Sequence, residues 1–327
     1  MNNLSVYKSK LRIVFMGTPE FAVPSLKILI ENNYNVVAVV TAPDKPAGRG
    51  MLMHESAVKK FARENNIYLL QPEKLKSFEF TEQLLELKPD LQIVVAFRML
   101  PEVIWKMPLI GTFNLHASLL PQYRGAAPIN WAIINGEKET GATTFFLEHE
   151  IDTGKIILQE KVKITEEETA GELHDELMHV GAELVLKTVQ LIDEGNYSLT
   201  PQTFSAEIKS APKLFTETCR INWNNSVQQI HNLIRGLSPY PAAFTKLNGK
   251  TVKIFRSQKI SIDNYPLSIN NSPGNISTDG KSFLRIQCAD GLLEILELQL
   301  EGKKKIKTEE FLRGFRFDEK NMKCENI

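Results

Sequence analysis

Three polar residues carry the strongest chemical signal in this 327-residue chain. Asn114 and His116 lie two residues apart, so on an extended segment their side chains point to the same side. An amide beside an imidazole suits a carbonyl group whose oxygen gains negative charge while a proton moves nearby. Asp152 follows later in the chain and is the carboxylate that we expect to orient the imidazole or to take its proton. The three side chains together indicate a site for acyl-type transfer.

The residues that follow His116 support the interpretation that it is catalytic. They form a turn whose backbone amides and carbonyls can hold a substrate: Ser118, Leu119, Leu120 and Pro121. A lone histidine is more often structural than catalytic, and the other five histidines have neither such neighbours nor the spacing of a metal site. The combination of Asn114, His116 and this turn therefore favours catalysis.

The first part of the chain alternates between predicted strands and helices. The predicted strands are 11–17, 36–41, 67–70, 90–96, 112–116, 143–147 and 155–162. The predicted helices are 19–32, 56–64, 81–88, 127–135 and 170–194. Alternation of this kind predicts an α/β domain, a Rossmann-like parallel sheet with helices on both faces. The last two strands flank the loop that contains Asp152.

The second part of the chain has a different pattern. Residues 196–214 are polar, include two prolines and show no clear period, so we interpret them as a linker. Beyond them, a helix is predicted at 227–234 and strands at 245–247, 250–255, 283–288 and 292–298. Several short strands separated by turns predict a small antiparallel barrel. The expected domains are 1–195 and 215–327, joined by the linker.

Three loops after predicted strands are candidates for ligand contacts. Gly17 ends the first strand, but no G-x-G-x-x-G fingerprint follows, which speaks against a dinucleotide site. In the loop at 42–50, Lys45 and Arg49 can hold a phosphate, and the alternative is an exposed flexible loop. The turn at 97–100 can flank a flat heterocycle, although such residues more commonly pack in a core. That turn consists of Phe97, Arg98, Met99 and Leu100.

Charge is divided unevenly along a chain whose formal net charge is zero. Residues 1–206 carry 20 Lys and Arg against 26 Asp and Glu, a net of −6. Residues 207–327 carry 19 against 13, a net of +6. Such asymmetry is typical of a C-terminal part that meets a polyanion. Charge alone does not separate this interpretation from a chance distribution of surface charge.

Cysteine usage and hydropathy indicate the compartment. The three cysteines are widely spaced and form no C-x-x-C pair, which argues for a reducing cytoplasm and against a disulfide framework or a zinc site. The densest apolar run, 88–97, is far too short to cross a bilayer, and the N-terminus has no secretory signal. We expect a cytoplasmic protein without membrane contact, and no obligate protein partner is evident.

Taken together, these motifs resemble the methionyl-tRNA formyltransferase family, which formylates initiator methionyl-tRNA with 10-formyltetrahydrofolate. The resemblance spans nearly the whole chain. Its most specific parts are Asn114-Leu115-His116, the Ser-Leu-Leu-Pro turn at 118–121, Ile151-Asp152-Thr153-Gly154 and the loop at 42–50. It implies a folate-binding formyltransferase domain followed by an OB-like barrel that helps to hold the tRNA.

The resemblance also implies roles for individual residues. The family's catalytic triad falls on Asn114, His116 and Asp152, and no metal is implied. Its folate site maps to Ser118, Leu119, Leu120 and Pro121, with Phe97, Arg98, Met99 and Leu100 as further walls. Its acceptor-stem loop maps to 42–50, with Lys45 and Arg49 as tRNA contacts. The chain departs from many members directly after this loop, where Met51-Leu52 replaces two lysines and leaves fewer positive charges.

Rival functions differ in how well they fit these features. Sugar-amine N-formyltransferases share the chemistry and domain order, but the 42–50 loop and the basic second part favour tRNA over a sugar nucleotide. The hydrolase domain of formyltetrahydrofolate dehydrogenase shares two motifs, yet nothing here resembles its carrier or dehydrogenase domains. A non-catalytic RNA-binding protein has no need of all three triad residues. A dehydrogenase lacks the glycine fingerprint.

Overall fold

The computed structural model describes residues 7, 9–47, 52–203, 207–260, 272–315, 317 and 323–325. Contacts between Cα atoms divide the chain into two compact units. The first comprises Met1–Gly125, Thr140–Val162 and His174–Ser210, and the second comprises Ala126–Glu139, Lys163–Leu173 and Ala211–Ile327. The domain boundaries expected from the sequence, 1–195 and 215–327, stay a prediction.

Helices and strands alternate through the first 211 residues. The strands are β1 (Ile13–Gly17), β2 (Val36–Val40), β3 (Lys45–Ala47), β4 (Leu52–His54), β5 (Leu69–Leu70), β6 (Leu91–Val95), β7 (Gly111–His116), β8 (Arg124–Gly125), β9 (Glu139–Phe146), β10 (Ile156–Lys163) and β11 (Ser210–Ala211). The helices are α1 (Val23–Glu31), α2 (Ala57–Glu64), α3 (Phe78–Glu86), α4 (Glu102–Trp105), α5 (Pro128–Ile134) and α6 (Ala170–Asp193). In the part of the chain that the structure describes, no helix is long and apolar enough to span a membrane.

The main sheet has seven strands in the order β10-β9-β7-β6-β1-β2-β5. Every residue of β1 and β6 is buried, because central parallel strands are covered on both faces. Strand β1 pairs in parallel with β2 and β6, and β6 pairs in parallel with β7. The predicted Rossmann-like α/β fold is therefore confirmed. Strand β9 runs antiparallel to β7 and extends the sheet beyond its parallel part.

The parallel strands bring distant parts of the chain to one edge of the sheet. Strands β1, β6 and β7 end at Gly17, Val95 and His116, and Val95 pairs with Gly17 on one side and Leu115 on the other. The chain leaves β1 for β2 on one side of it, whereas β6 and β7 lie on the other. Open α/β sheets bind ligands at such a switch point, outside the carboxyl ends of the strands.

The second unit contains a nearly closed antiparallel barrel, as predicted. Its strands are β12 (Ala243–Leu247), β13 (Lys250–Ile260), β14 (Ile276–Thr278), β15 (Leu284–Gln287), β16 (Leu292–Leu300), β17 (Ile306–Lys307) and β18 (Cys324–Glu325), and its later helices are α7 (Val227–Leu237) and α8 (Thr308–Gly314). The sheet order is β14-β15-β16-β13-β12-β18, with β17 beside β16. Buried and half-buried residues alternate along β12, since one face of a strand meets the core. Trp223 is fully buried in this core.

Candidate active site

His116 ends strand β7, and a nearby backbone carbonyl holds its imidazole. The ring Nε2 lies 2.9 Å from the carbonyl oxygen of Tyr123. Because a carbonyl can only accept, Nε2 carries the hydrogen of this bond. The other ring nitrogen, Nδ1, lies 3.9 Å from Oδ2 of Asp152. One nitrogen of this buried ring is thus committed to the backbone, and the other faces a carboxylate.

Asp152 lies in a turn between β9 and β10 and has a left-handed backbone, with φ of +56°. Aspartate adopts this conformation more readily than most residues. Its Oδ2 accepts a hydrogen bond of 3.1 Å from the backbone N–H of Gly125. The side chain is only 13% exposed. Since 3.9 Å is longer than a hydrogen bond, the Asp152 carboxylate faces the ring without a direct hydrogen bond in this arrangement.

Asn114 lies on the same face of β7 as His116, because side chains alternate along a strand. It is half-buried and pairs in register with Val94 of β6 and Phe145 of β9. The structure therefore brings His116 and Asp152 within 3.9 Å of each other and places Asn114 on the same face of β7 as His116, near the carboxyl end of that strand. Among the described residues, no group of three or more His, Cys, Asp or Glu side chains is arranged to hold a metal ion.

The turn predicted to bind folate has its backbone held by side chains from later strands. Thr143 Oγ1 donates to the carbonyl of Ser118 at 2.6 Å and accepts from the N–H of Leu120 at 3.2 Å. Gln159 Nε2 donates to the carbonyl of Leu120 at 2.9 Å. These bonds fix the positions of the turn's peptide groups against β9 and β10.

The four residues of the second predicted folate wall differ in their surroundings. Phe97 and Arg98 are half-buried, Leu100 is buried and Met99 is 73% exposed. The Arg98 guanidinium donates to the carbonyls of Pro72 and Glu73, and burial lowers its pKa. Arg98 thus holds the turn to the preceding segment, and Met99 is the member most open to a ligand.

The predicted tRNA loop begins in a hairpin whose base is held by an ion pair. Lys45 is exposed and opens β3, which pairs antiparallel with β4, whereas Arg49 lies outside the described residues. The carboxylate of Asp44 accepts hydrogen bonds from Nζ of Lys59 and from Nε2 of Gln71. The bond from Lys59, followed by that from Gln71, holds the pKa of Asp44 below its ordinary value.

Sequence reasoning missed three residues that shape this site. Tyr123 acts through its backbone carbonyl, which no side-chain pattern can indicate. Thr143 is fully buried in strand β9, where Thr140 and Thr144 are buried too, so its residue type did not distinguish it. Gln159 lies on β10 and reaches the turn through its amide. All three hold backbone or ring positions rather than supplying an obvious reactive group.

Comparison with known proteins identifies the family of this chain. The profile of the formyl transferase family matches residues 11–189, and that of the formyl transferase C-terminal domain matches residues 213–316. The chain belongs to the formyl transferase family. This confirms the resemblance inferred from the motifs.

Relatives within the family are similar over nearly their whole length. The methionyl-tRNA formyltransferase of Bacteroides fragilis is 56% identical, over 95% of this chain and 97% of that protein. The methionyl-tRNA formyltransferase of Bacteroides thetaiotaomicron is 55% identical, over 95% and 98%. The structure of an N-formyltransferase from Helicobacter canadensis, in complex with folinic acid and dTDP-3-aminofucose, has a TM-score of 0.67 at 23% identity, over 90% of this chain and all of that one. The last similarity establishes the shared fold.

Thr143→Val tests how the Ser118–Leu120 backbone is held. The substitution keeps the side-chain shape but removes the buried hydroxyl from both peptide groups. We expect the free energy of unfolding to fall by about 1–3 kcal/mol, the usual cost of leaving buried polar groups without partners. Urea denaturation measures this loss. Thr143→Ser keeps the hydroxyl and serves as the control, so an equally large loss in that variant would contradict the explanation.

The Asp44 ion pair predicts a pH dependence. In the folded protein the pKa of Asp44 lies below its ordinary value of 3.8. The ionised Asp44 carboxylate therefore stabilises the fold fully above pH 3.8, and this stabilisation is lost as the pH falls through the lowered pKa. Lys59→Gln removes the largest cause, so the pKa of Asp44 should rise toward 3.8. A carboxyl ¹³C NMR titration measures it, with Lys60→Gln on the same helix as control. Titration of Asp44 that is unchanged in Lys59→Gln would refute the assignment.

Proposed function

We propose that this chain transfers the formyl group of 10-formyltetrahydrofolate to the α-amino group of methionine on initiator methionyl-tRNA. The product, N-formylmethionyl-tRNA, serves translation initiation. The observation that carries the proposal is the identity of 55–56% with methionyl-tRNA formyltransferases over 95% of the chain. The position of Asn114, His116 and Asp152 at the carboxyl end of β7 supports it, because the reaction needs charge stabilisation and proton transfer at one carbonyl.

The reaction moves an acyl group from one nitrogen to another. The free α-amine attacks the formyl carbon, a new carbon–nitrogen bond forms, and the carbonyl oxygen takes up the negative charge. The bond between the formyl carbon and N10 of the folate then breaks as the carbonyl re-forms. The proton lost by the amine ends on N10, so atoms and charge balance without a redox step.

The side chains divide this work between them. The Asn114 amide and the Nδ1–H of the charged His116 ring donate hydrogen bonds to the oxyanion, and one such donor is typically worth about 3 kcal/mol of barrier. Nδ1 is the available ring nitrogen because Nε2 is bonded to Tyr123. Asp152 stabilises the charged ring and carries the proton from the amine toward N10. This chemistry requires no metal.

The two substrates meet at the same sheet edge. We assign the folate to the peptide groups of the 118–121 turn, with residues 97–100 as the opposite wall, and Met99 is the exposed side chain there. We assign the tRNA acceptor end to the loop that carries Lys45 and Arg49. The net charge of +6 over residues 207–327 supports phosphate contacts in the second domain, and the setting for these substrates is the cytoplasm.

An amino-sugar nucleotide is the competing acceptor for the same chemistry. The protein is incubated with 10-formyltetrahydrofolate and either methionyl-tRNA or an amino-sugar nucleotide, and the formylated product is identified. We expect formylation of methionyl-tRNA alone. Formylation of the sugar nucleotide in its place would overturn the proposal.

Substitution of the triad should abolish the chemistry and leave the fold intact. We expect Asn114→Ala to lower kcat by about 10²–10³-fold through the loss of one oxyanion donor. His116→Ala should abolish turnover and leave tRNA binding largely unchanged. Single-turnover formylation and tRNA titration measure the two quantities. The control is His179→Ala, an exposed histidine of helix α6; near-normal turnover in His116→Ala would exclude the mechanism.

Removal of the loop cations should weaken tRNA binding and leave catalysis unchanged. We expect Lys45→Ala and Arg49→Ala each to raise KM for methionyl-tRNA. Each should also reduce the slope of log KM against log salt concentration by about 1, the value for the loss of one phosphate contact. KM for the folate should not change. Lys74→Ala, at another exposed lysine, is the control. A salt slope equal to that of the wild type in both loop variants would remove these residues from the tRNA site.

A further inference from the structure

We propose that Gln202 is a positioning residue for formyl transfer and acts by holding the backbone turn of Asp152. The inference rests on the proposed function, since the reaction is the one assigned above. Gln202 lies within 196–214, which the sequence pattern indicates to be a linker. The structure places its side chain against the catalytic turn, where it is only 8% exposed.

The Gln202 amide uses all of its hydrogen-bonding capacity at this turn. Its Nε2 donates to the carbonyl of Asp152 at 2.9 Å and to the carbonyl of Gly154 at 2.8 Å. Its Oε1 accepts from Arg124, at 3.1 Å from Nε and also from Nη2. An amide has two donor hydrogens and two acceptor lone pairs, so every one is used. The reversed amide would set oxygen against two carbonyls, so chemistry fixes its orientation.

The two carbonyls belong to a turn whose shape sets the direction of the catalytic carboxylate. Asp152 has the left-handed φ of +56°, and the turn approaches β9 so closely that a Cβ on Gly154 would lie 1.7 Å from the Phe146 carbonyl oxygen. A small rotation of this backbone would swing the Asp152 carboxylate away from Nδ1 of His116. By bonding the carbonyls on both sides of Thr153, Gln202 restrains that rotation.

Neighbouring contacts hold Gln202 itself in place. Two residues earlier, Thr200 exchanges both backbone hydrogen bonds with Ile156 at the start of β10, each 2.9 Å. Arg124, which holds the Gln202 oxygen, directly precedes Gly125, whose N–H donates to the Asp152 carboxylate. Gln202 thus holds the backbone carbonyl of Asp152, and the Gly125 N–H holds its carboxylate. Arg124 connects these two groups, because it bonds to Gln202 and directly precedes Gly125. Burial lowers the pKa of this guanidinium and the nearby Asp152 opposes the shift.

Gln202→Glu is the sharpest test, because it keeps an acceptor for Arg124 and removes both donors to the turn. Gln202→Met removes the same donors without adding charge and serves as the second variant. In the full-length protein we expect each to lower kcat by on the order of 100-fold, the usual effect of misplacing a catalytic group by about 1 Å. KM for methionyl-tRNA should stay within about twofold. Gln83→Glu makes the same chemical change on helix α3 and should match the wild type.

A double-mutant cycle with Asp152→Asn separates positioning from a general structural role. If Gln202 acts through Asp152, its substitution should lower the residual single-turnover rate by less than about twofold once Asp152 is replaced. A loss of equal size in both backgrounds would overturn the proposal, as would an unchanged kcat in the two single variants. The wild-type rate with methionyl-tRNA is measured in the same series. If the wild type showed no formylation of methionyl-tRNA, that result would count against the proposed function and not against the role of Gln202.

A spectroscopic measurement tests the positioning without any substrate. The ring ¹⁵N signals of His116 are recorded by NMR in wild type, Gln202→Met and Asp152→Asn. We expect the two variants to move the His116 signals in the same direction, because both remove the carboxylate from Nδ1. Signals of His116 that move in Asp152→Asn and stay at the wild-type position in Gln202→Met would overturn the proposal.

Discussion

The hydrogen bond from His116 Nε2 to the Tyr123 carbonyl is the interaction on which the site depends. It decides which ring nitrogen faces Asp152 and is therefore available to the reacting carbonyl. The carbonyl lies in a turn where Tyr123 has φ of +59°, and the Tyr123 N–H donates to the Lys209 carbonyl at 2.7 Å. Backbone geometry, stabilised by a segment far along the chain, thus sets the orientation of the His116 ring.

The register of the parallel sheet supplies the second constraint. Because β1 and β6 are buried, β7 is mostly buried and the three are paired in parallel, their carboxyl ends cannot shift relative to one another without exposing apolar side chains. The loops that follow these strands therefore share one edge, and the proposed formyl-transfer site lies at that edge. Thr143 and Gln159 carry this constraint into the 118–121 turn through hydrogen bonds from adjacent strands. The fold therefore fixes the positions of peptide groups in this turn as well as those of side chains.

Long periodic segments were predictable, and short irregular ones were not. Strands β1, β2 and β6 follow from continuous apolar runs. The catalytic roles of Asn114, His116 and Asp152 stay predictions from residue type and spacing. The four-residue helix α4 and the β3–β4 hairpin have too few residues for a detectable period. Arg98 was assigned to a folate wall, but its guanidinium donates to backbone carbonyls, a choice that depends on which chain segment folds beside it. The roles of individual folate and tRNA contacts stay predictions.

The sequence by itself identified the groups available for chemistry, because residue type alone shows where an amide, an imidazole and a carboxylate occur, whereas their reactivity depends on their surroundings. It also determined the two kinds of fold, since apolar periodicity selects buried strands and amphipathic helices. Only the tertiary structure decided which nitrogen of His116 faces Asp152, how the Asp152 carboxylate is held, and that Gln202 bonds to the Asp152 turn. Those features depend on hydrogen bonds between residues far apart in the chain, such as that from Arg124 to Gln202, 78 positions away, and local sequence patterns do not indicate such partners.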